Sequence, residues 1–379
     1  MKKVLFVFGT RPEAIKLAPV IKETEKSSLK PLVCVLRQHK KMIDQVLKVF
    51  EIKPDFDLKI SIGDRDLFSK KLLLKIKNLL GSGIGFLKLF RILKKEKPDL
   101  LVVQGDTSTA FLAAFIGYHF KIPIAHVEAG LRTYNKYQPF PEEINRRLIA
   151  GLADYHFAPT EQAKINLLRE NVAQERIWVT GNTGIDALKW VLGKSEDCSN
   201  FFKEKYQIDF NQKIILVTVH RRESFGKGVE NIFQALKEIA QRNQDIQIVY
   251  PVHTNPNIQK PAQDILANQK NIYLVEPLDY QSLVWLMRKS YLILTDSGGI
   301  QEEAPSLGKP LLVLRKKTER PEGVRAGTAR LVGTNKEDII AETEKLLRSP
   351  GLYQQMARKN NPYGDGTASR KIINVLENI

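Results

Sequence analysis

A twice-repeated rhythm constrains this chain most. Short apolar, β-branched runs alternate with longer segments of helical spacing. Strands buried on both faces of a parallel sheet read as such runs, and the amphipathic stretches between them read as crossover helices. In the first half the runs are Val4–Phe8, Leu32–Leu36, Leu100–Val103, Ile124–Val127, Tyr155–Ala158 and Trp178–Thr180. In the second they are Ile214–Val219, Ile246–Val252, Ile272–Val275, Leu292–Thr295, Leu311–Leu314 and Leu331-Val332. This predicts an α/β protein of two Rossmann-like domains, residues 1–192 and 212–360, facing a central cleft. The polar, charged stretch Gly193–Asn211 reads as their connection, and residues 361–379 as a last helix packing back on the first domain.

The composition is globular: 379 residues, 43% hydrophobic and 27% charged, enough for two cores without staples. The two cysteines, Cys34 and Cys198, exclude a disulfide framework and make no metal-ligand set. Met1-Lys2-Lys3 and the apolar run after it look like the start of a signal peptide. The run stops at Gly9, too short for one, and no stretch is long enough to span a membrane. The expected location is cytoplasmic.

The net charge of +17 raises nucleic acid, an anionic membrane and an anionic small substrate as partners. Its distribution is uneven. Leu67–Pro98 holds nine basic residues and one acidic, a net of +8. That stretch reads as two basic amphipathic helices joined by Gly81-Ser82-Gly83-Ile84-Gly85, with apolar faces in the core and solvated basic faces. Weak peripheral membrane contact through residues 67–98 is the functional alternative.

Parallel sheets bind ligands at the carboxyl ends of their strands, so the loops there carry the chemistry. Gly9-Thr10-Arg11-Pro12-Glu13-Ala14-Ile15-Lys16 offers a tight turn, a helix N-terminus with free N–H groups and two cations to an anion. Asp106, in Gln104-Gly105-Asp106-Thr107, is an acid–base candidate or the N-cap of the next helix. Glu128, in His126-Val127-Glu128-Ala129-Gly130-Leu131-Arg132, is a candidate catalytic carboxylate beside a glycine that permits close approach. Pairing with Arg132 is its structural alternative. Glu142 and Glu143 follow Pro139-Phe140-Pro141 in the first turn of a helix, where the helix dipole alone favours them. His220, followed by Arg221 and Arg222, is a base or hydrogen-bond partner that the arginines should keep neutral. Thr295-Asp296-Ser297-Gly298-Gly299 leads from a strand into a helix and can cradle phosphate oxygens, with Glu303 placed for ribose hydroxyls and Arg320 adding a cation. Carboxylates on one domain and a phosphate cradle on the other suit a nucleotide-sugar enzyme.

GTRPEAIK, QGDTST, HVEAGLR, PEEINRR, HRRESFG, YPVHTNPN, LTDSGGIQEEAPSLGKP and TERPEG follow in this order. In these motifs the chain resembles the bacterial non-hydrolysing UDP-N-acetylglucosamine 2-epimerases. The resemblance implies a glycosyltransferase-B type fold, usually as a homodimer. It implies interconversion of UDP-GlcNAc and UDP-ManNAc, for ManNAc-derived cell-envelope polysaccharide, with no nicotinamide cofactor and no required metal. UDP would leave by anti elimination to 2-acetamidoglucal and add back after protonation on the opposite C2 face. By position, Asp106, Glu128, Glu142 and His220 match the catalytic group. Arg11, Lys16, Ser297, Gly298, Gly299, Glu303 and Arg320 match UDP-binding positions, and Leu278 and Leu283 the uracil contacts. Gln38, Gln45, Arg221 and His253 match the site of a second, activating UDP-GlcNAc. The basic stretch departs from the family pattern. Epimerases of modified UDP-sugars, hydrolysing epimerases, glycosyltransferases of the same fold and a non-enzymatic basic binding protein are the alternatives.

Overall fold

The computed structural model describes residues 1–36, 40–58, 85, 87–194 and 197–379. The chain divides into two compact units, Met1–Trp190 with Gly364–Ile379, and Val191–Tyr363. Unit 1 runs β1 (Lys3–Phe8), α1 (Arg11–Thr24), β2 (Lys30–Val35), α2 (Lys40–Val49), β3 (Phe56–Asp57), α3 (87–96), β4 (Leu100–Gln104), α4 (Ser108–His119), β5 (Ile124–Val127), α5 (Glu142–Leu152), β6 (Tyr155–Ala158), α6 (Glu161–Arg169), β7 (Ile177–Val179) and α7 (Thr183–Lys194). Unit 2 holds α8 (Ser199–Tyr206), β8 (Lys213–Thr218), α9 (Lys227–Arg242), β9 (Ile246–Pro251), α10 (Pro256–Leu266), β10 (Ile272–Val275), α11 (Tyr280–Lys289), β11 (Leu292–Thr295), α12 (Gly298–Glu303), β12 (Leu311–Val313), α13 (Pro321–Ala326), β13 (Ala329–Leu331), α14 (Lys336–Arg348) and α15 (Pro350–Ala357). The chain then returns to unit 1 as α16 (Ala368–Glu377).

Every strand pairing is parallel. Sheet order is β3-β2-β1-β4-β5-β6-β7 in unit 1 and β10-β9-β8-β11-β12-β13 in unit 2. Each order reverses direction once, between β1 and β4 and between β8 and β11. At such switch points the loops leaving the strands diverge and open a crevice at the carboxyl edge. The loops after β1, β4, β8 and β11 are four of those singled out in the sequence. The two cores are built from inward-facing residues of these strands, such as Leu5, Val7 and Leu101 in unit 1 and Ile215, Val217 and Leu294 in unit 2.

Three local features are not written in the apolar rhythm. Helix α1 begins at Arg11, with Pro12 at its second position, because Thr10 and Glu13 form a reciprocal capping box. The stretch read as a connection contains α8, anchored by one aromatic. Phe202 is fully buried and stacks on Trp285 of α11 at 5.4 Å, with Phe210 edge-on to the same ring at 4.9 Å. Strand β3, two residues long, offers no apolar run to read. Of the basic stretch, residues 67–84 and 86 lie outside the described residues, as does Gln38. Helix α3 buries Leu89, Ile92 and Leu93 and exposes Lys88, Arg91, Lys94 and Lys95, an apolar core face and a solvated basic one. The last helix, α16, packs on α1, and Asp186 accepts the backbone N–H groups of Ala368 and Ser369.

Candidate active site

In unit 1 the loop after β1 is closed by its own helix. Glu13 is buried and accepts from the backbone N–H groups of Gly9 (3.0 Å) and Thr10 (2.7 Å) and from the Thr107 hydroxyl (2.5 Å). The N–H groups of Gly9 and Thr10, just before the helix N-terminus expected to meet an anion, are therefore held by a side chain. Burial pushes the Glu13 carboxyl up to about 7, against the lowering effect of these bonds. Arg11 is half-buried at the first position of α1.

The N-cap of α4 is Thr107, whose side chain accepts from the Ala110 N–H. Asp106 is thereby released from capping and pairs instead with Arg146 of α5, at 2.7 Å to Nε and 2.6 Å to an Nη nitrogen. Asn145 of the same helix donates to the Asp106 carbonyl. Glu142 is half-buried at the start of α5, whereas Glu143 is fully buried and accepts from the Thr133 and Tyr134 N–H groups and from Arg146. Glu143 is structural.

Glu128 leaves β5 with a φ of 65°, left-handed backbone that costs a non-glycine residue about 1–3 kcal/mol. Its carboxylate pairs with Lys16 of α1 and lies 3.4 Å from the amide nitrogen of Asn182. Arg132 pairs with Glu170, not with Glu128. The neighbouring Gly130 faces the protein rather than a ligand: a Cβ there would lie 2.2 Å from the Ala163 carbonyl oxygen. His126, buried, donates to the Gly105 carbonyl at 2.7 Å, and burial pushes its ring down to about 3.

In unit 2 the loops after β8 and β11 meet through Asp296, which is fully buried. Its Oδ2 accepts the backbone N–H groups of His220 and Arg221, both at 2.8 Å, and its Oδ1 lies 3.0 Å from His220 Nδ1. The neighbour that the His220 ring meets is thus a carboxylate, not the expected guanidinium groups. Burial raises the Asp296 carboxyl, but the hydrogen bonds from His220 and from the two N–H groups outweigh it, and the net direction is down. The His220 ring also stacks on His253, at 5.9 Å between centroids.

Ser297 is the N-cap of α12. A Cβ at Gly298 would lie 2.6 Å from the Arg320 guanidinium carbon, so a larger residue there would have to push that side chain aside. At Gly299 a Cβ would meet only open space. Arg320 is buried between Glu302 (2.8 Å) and Glu319 (2.6 Å). Glu319 also pairs with Arg221 (3.3 Å) and Arg315 (2.6 Å), and Arg315 with Glu223 (2.6 Å). Burial opposes ionisation of Glu319, but the three guanidinium groups prevail and hold it well below the usual carboxylate range. Glu303 is buried and accepts from the Tyr280 hydroxyl at 3.1 Å. Leu278, just before the Asp279 cap of α11, and Leu283, on that helix, are half-buried. Gln45 is exposed on α2.

Residues 22–377 match the protein family described as UDP-N-acetylglucosamine 2-epimerase. UDP-N-acetylglucosamine 2-epimerase of Escherichia coli K12 is 52% identical over 381 residues, covering 99% of this chain and 98% of the relative. The chain belongs to the UDP-N-acetylglucosamine 2-epimerase family. The Campylobacter jejuni member is 50% identical over 386 residues, with 99% and 97% covered. The crystal structure of the Neisseria meningitidis UDP-GlcNAc 2-epimerase bound to UDP-GlcNAc matches this fold with a TM-score of 0.91 at 47% identity, covering 100% of both chains. The fold class is that of these epimerases, two parallel α/β sheets of glycosyltransferase-B type.

In this member of the family the strand-end loops are legible in the sequence, whereas the groups that hold their side chains are not. Glu13, Arg146, Asn182, Asp296, Glu302 and Glu319 were not singled out. Glu13 had a readable signal, the Thr-x-x-Glu spacing of a capping box. Asp296 and Glu319 lie within motifs whose neighbours drew notice. Arg146 and Asn182 had no local signal. Among the described residues, no cluster of His, Cys, Asp and Glu could hold a metal ion, and no helix is long and apolar enough to cross a membrane.

Proposed function

We propose that this member of the family interconverts UDP-GlcNAc and UDP-ManNAc by reversible elimination. A base takes the C2 proton, its C–H electron pair forms the C1–C2 double bond, and the C1–O pair departs with UDP. The products are 2-acetamidoglucal and UDP. Protonation at the opposite face of C2 and return of UDP to C1 complete the epimerisation. The sequence is redox-neutral and calls for no nicotinamide oxidant.

The observation that carries this reading is the pairing of Glu128 with Lys16 on a strained strand end, in a chain of this family. A carboxylate so held is a positioned proton acceptor, and general acid–base catalysis of this kind contributes about 10²–10⁴-fold. Asp106 and Glu142 are the further carboxylates of the catalytic group, with His220 serving the departing diphosphate. Unit 2 takes the nucleotide: Arg320 and the Ser297-Gly298-Gly299 turn for the diphosphate, Glu303 for ribose, Leu278 and Leu283 for uracil. Arg11 and Lys16 add positive charge from α1. Arg221 and His253 are proposed contacts of a second, activating UDP-GlcNAc. The working form proposed is a cytoplasmic homodimer supplying ManNAc-derived envelope polysaccharide.

The test is incubation with UDP-GlcNAc in D2O, followed by NMR at C2. UDP-GlcNAc and UDP-ManNAc in equilibrium, both deuterated at C2, are the expected result. Free ManNAc plus UDP would place the protein among hydrolysing epimerases. No turnover of UDP-GlcNAc, with turnover of another UDP-sugar, would overturn the substrate.

A further inference from the structure

We infer that Asp296 is a positioning residue that fixes the tautomer of His220, placing a proton on Nδ1 and making Nε2 the working nitrogen. This rests on the catalytic role proposed for His220.

The two oxygens of Asp296 are differently engaged. Its carboxylate is fully buried, and Oδ2 is already committed to the N–H groups of His220 and Arg221, at 2.8 Å each. Oδ1 is equally enclosed and has no aligned hydrogen-bond donor, the His220 ring as placed included. The group beside it is His220 Nδ1, at 3.0 Å. A bare Nδ1 would set a lone pair against an unsolvated anionic oxygen, whereas Nδ1–H gives that oxygen the proton it lacks. The buried Tyr250 hydroxyl donates to the Val219 carbonyl just before His220 and so tethers the loop beside this contact. The His220 side chain is 38% exposed, and Nε2 is the ring nitrogen not set against the buried carboxylate.

The stacked partner supplies a contrast within the same loop cluster. His253 Nδ1 accepts the Asn255 N–H at 3.1 Å and therefore carries no proton. Two rings 5.9 Å apart thus present opposite nitrogens, each set by the group that faces Nδ1. Asp296 also begins the turn that contains Ser297 and Gly298, so the histidine and that turn are held by one buried carboxylate.

The substitution that isolates the effect is Asp296→Asn. The two backbone N–H groups require an acceptor at the Oδ2 position, so the amide oxygen must sit there. The amide NH2 then faces His220 Nδ1, which can only accept, and the ring proton moves to Nε2. The experiment is 15N NMR of the full chain labelled at histidine, with His220 assigned by the loss of its signals in His220→Asn. In the unsubstituted protein the expected result is a protonated Nδ1, whether the ring is neutral or charged. A neutral ring with a bare Nδ1 overturns the inference without reference to activity or to the folding of any variant.

In Asp296→Asn the neutral ring is expected to carry its proton on Nε2. Deuterium exchange at C2 of UDP-GlcNAc should fall about 10²-fold or more, with KM within a few-fold. Wild-type exchange with the flipped tautomer would overturn the positioning role. In a His220→Ala background, Asp296→Asn should produce no further loss, and a further loss of tenfold would show a role independent of the ring. Absence of C2 exchange in the unsubstituted protein would sink the proposed function and leave the tautomer to be judged by its own signals.

Discussion

Two carboxylates illustrate how local surroundings divide similar residues into different tasks. Glu128 sits in left-handed backbone against Lys16, and Glu128→Gln is expected to remove C2 exchange, by about 10²-fold or more, with UDP still bound. Calorimetry of UDP binding beside deuterium exchange checks both halves, and normal exchange would refute the assignment. Glu13 is a closed structural bond set whose carboxyl is raised from 4.5 to about 7 by burial. Because the folded-state value is the higher one, the native protein binds more protons than the unfolded chain between those values. Stability from this group is full below about pH 4.5 and is lost as pH rises through about 7. Glu13→Gln, a neutral isostere, should remove that dependence, so the difference in unfolding free energy between the two proteins should change by up to about 3 kcal/mol across the window. Denaturant titrations at pH 4.5, 6 and 8 would show it, and parallel curves would exclude it. At Gly298 the constraint is steric. Gly298→Ala must displace the Arg320 guanidinium from Glu302 and Glu319, at a cost of about 1–3 kcal/mol in stability and at least tenfold in UDP affinity. Unchanged UDP affinity would show that Arg320 does not meet the nucleotide.

Among the elements, the parallel strands were the most legible, because burial on both faces writes an uninterrupted apolar run into the sequence. Ile124–Val127, Tyr155–Ala158, Ile272–Val275 and Leu292–Thr295 coincide with β5, β6, β10 and β11 residue for residue. Helix α8 was illegible because only one of its side chains, Phe202, is buried. Its surroundings are polar, and the ring that receives Phe202 lies on α11, far along the chain. Phe202→Ala should accordingly cost about 3–5 kcal/mol, read from denaturant unfolding of unit 2, although the segment looks like a tether. A loss below about 1 kcal/mol would mean that α8 is dispensable. The site divides the same way. Loops at strand ends were readable from position alone, whereas the pairs that hold them join residues 40 and 112 apart, Asp106 with Arg146 and Glu128 with Lys16. No local pattern encodes a partner at that distance.

For the molecule as a whole, the charge of +17 and the charge at the site are separate matters. The cluster around the buried Glu319 pairs three arginines, Arg221, Arg315 and Arg320, with three glutamates, Glu223, Glu302 and Glu319. The excess therefore lies outside it, where it acts on approach rather than on grip. The association rate of UDP should fall several-fold between about 20 mM and about 500 mM salt, while its dissociation rate changes little. Stopped-flow measurements would separate the two, and a salt-dependent dissociation rate would point to unpaired cations at the bound diphosphate. The return of the chain to unit 1 as α16 has a consequence for synthesis. Unit 2 is continuous in sequence and is complete once Tyr363 has emerged from the ribosome. Unit 1 is begun first, yet it must wait for the closing helix to cover α1 and for Asp186 to receive its two N–H donors. The half of the protein made first is thus the half finished last, and its unfilled face is the one a chaperone would meet on a nascent chain.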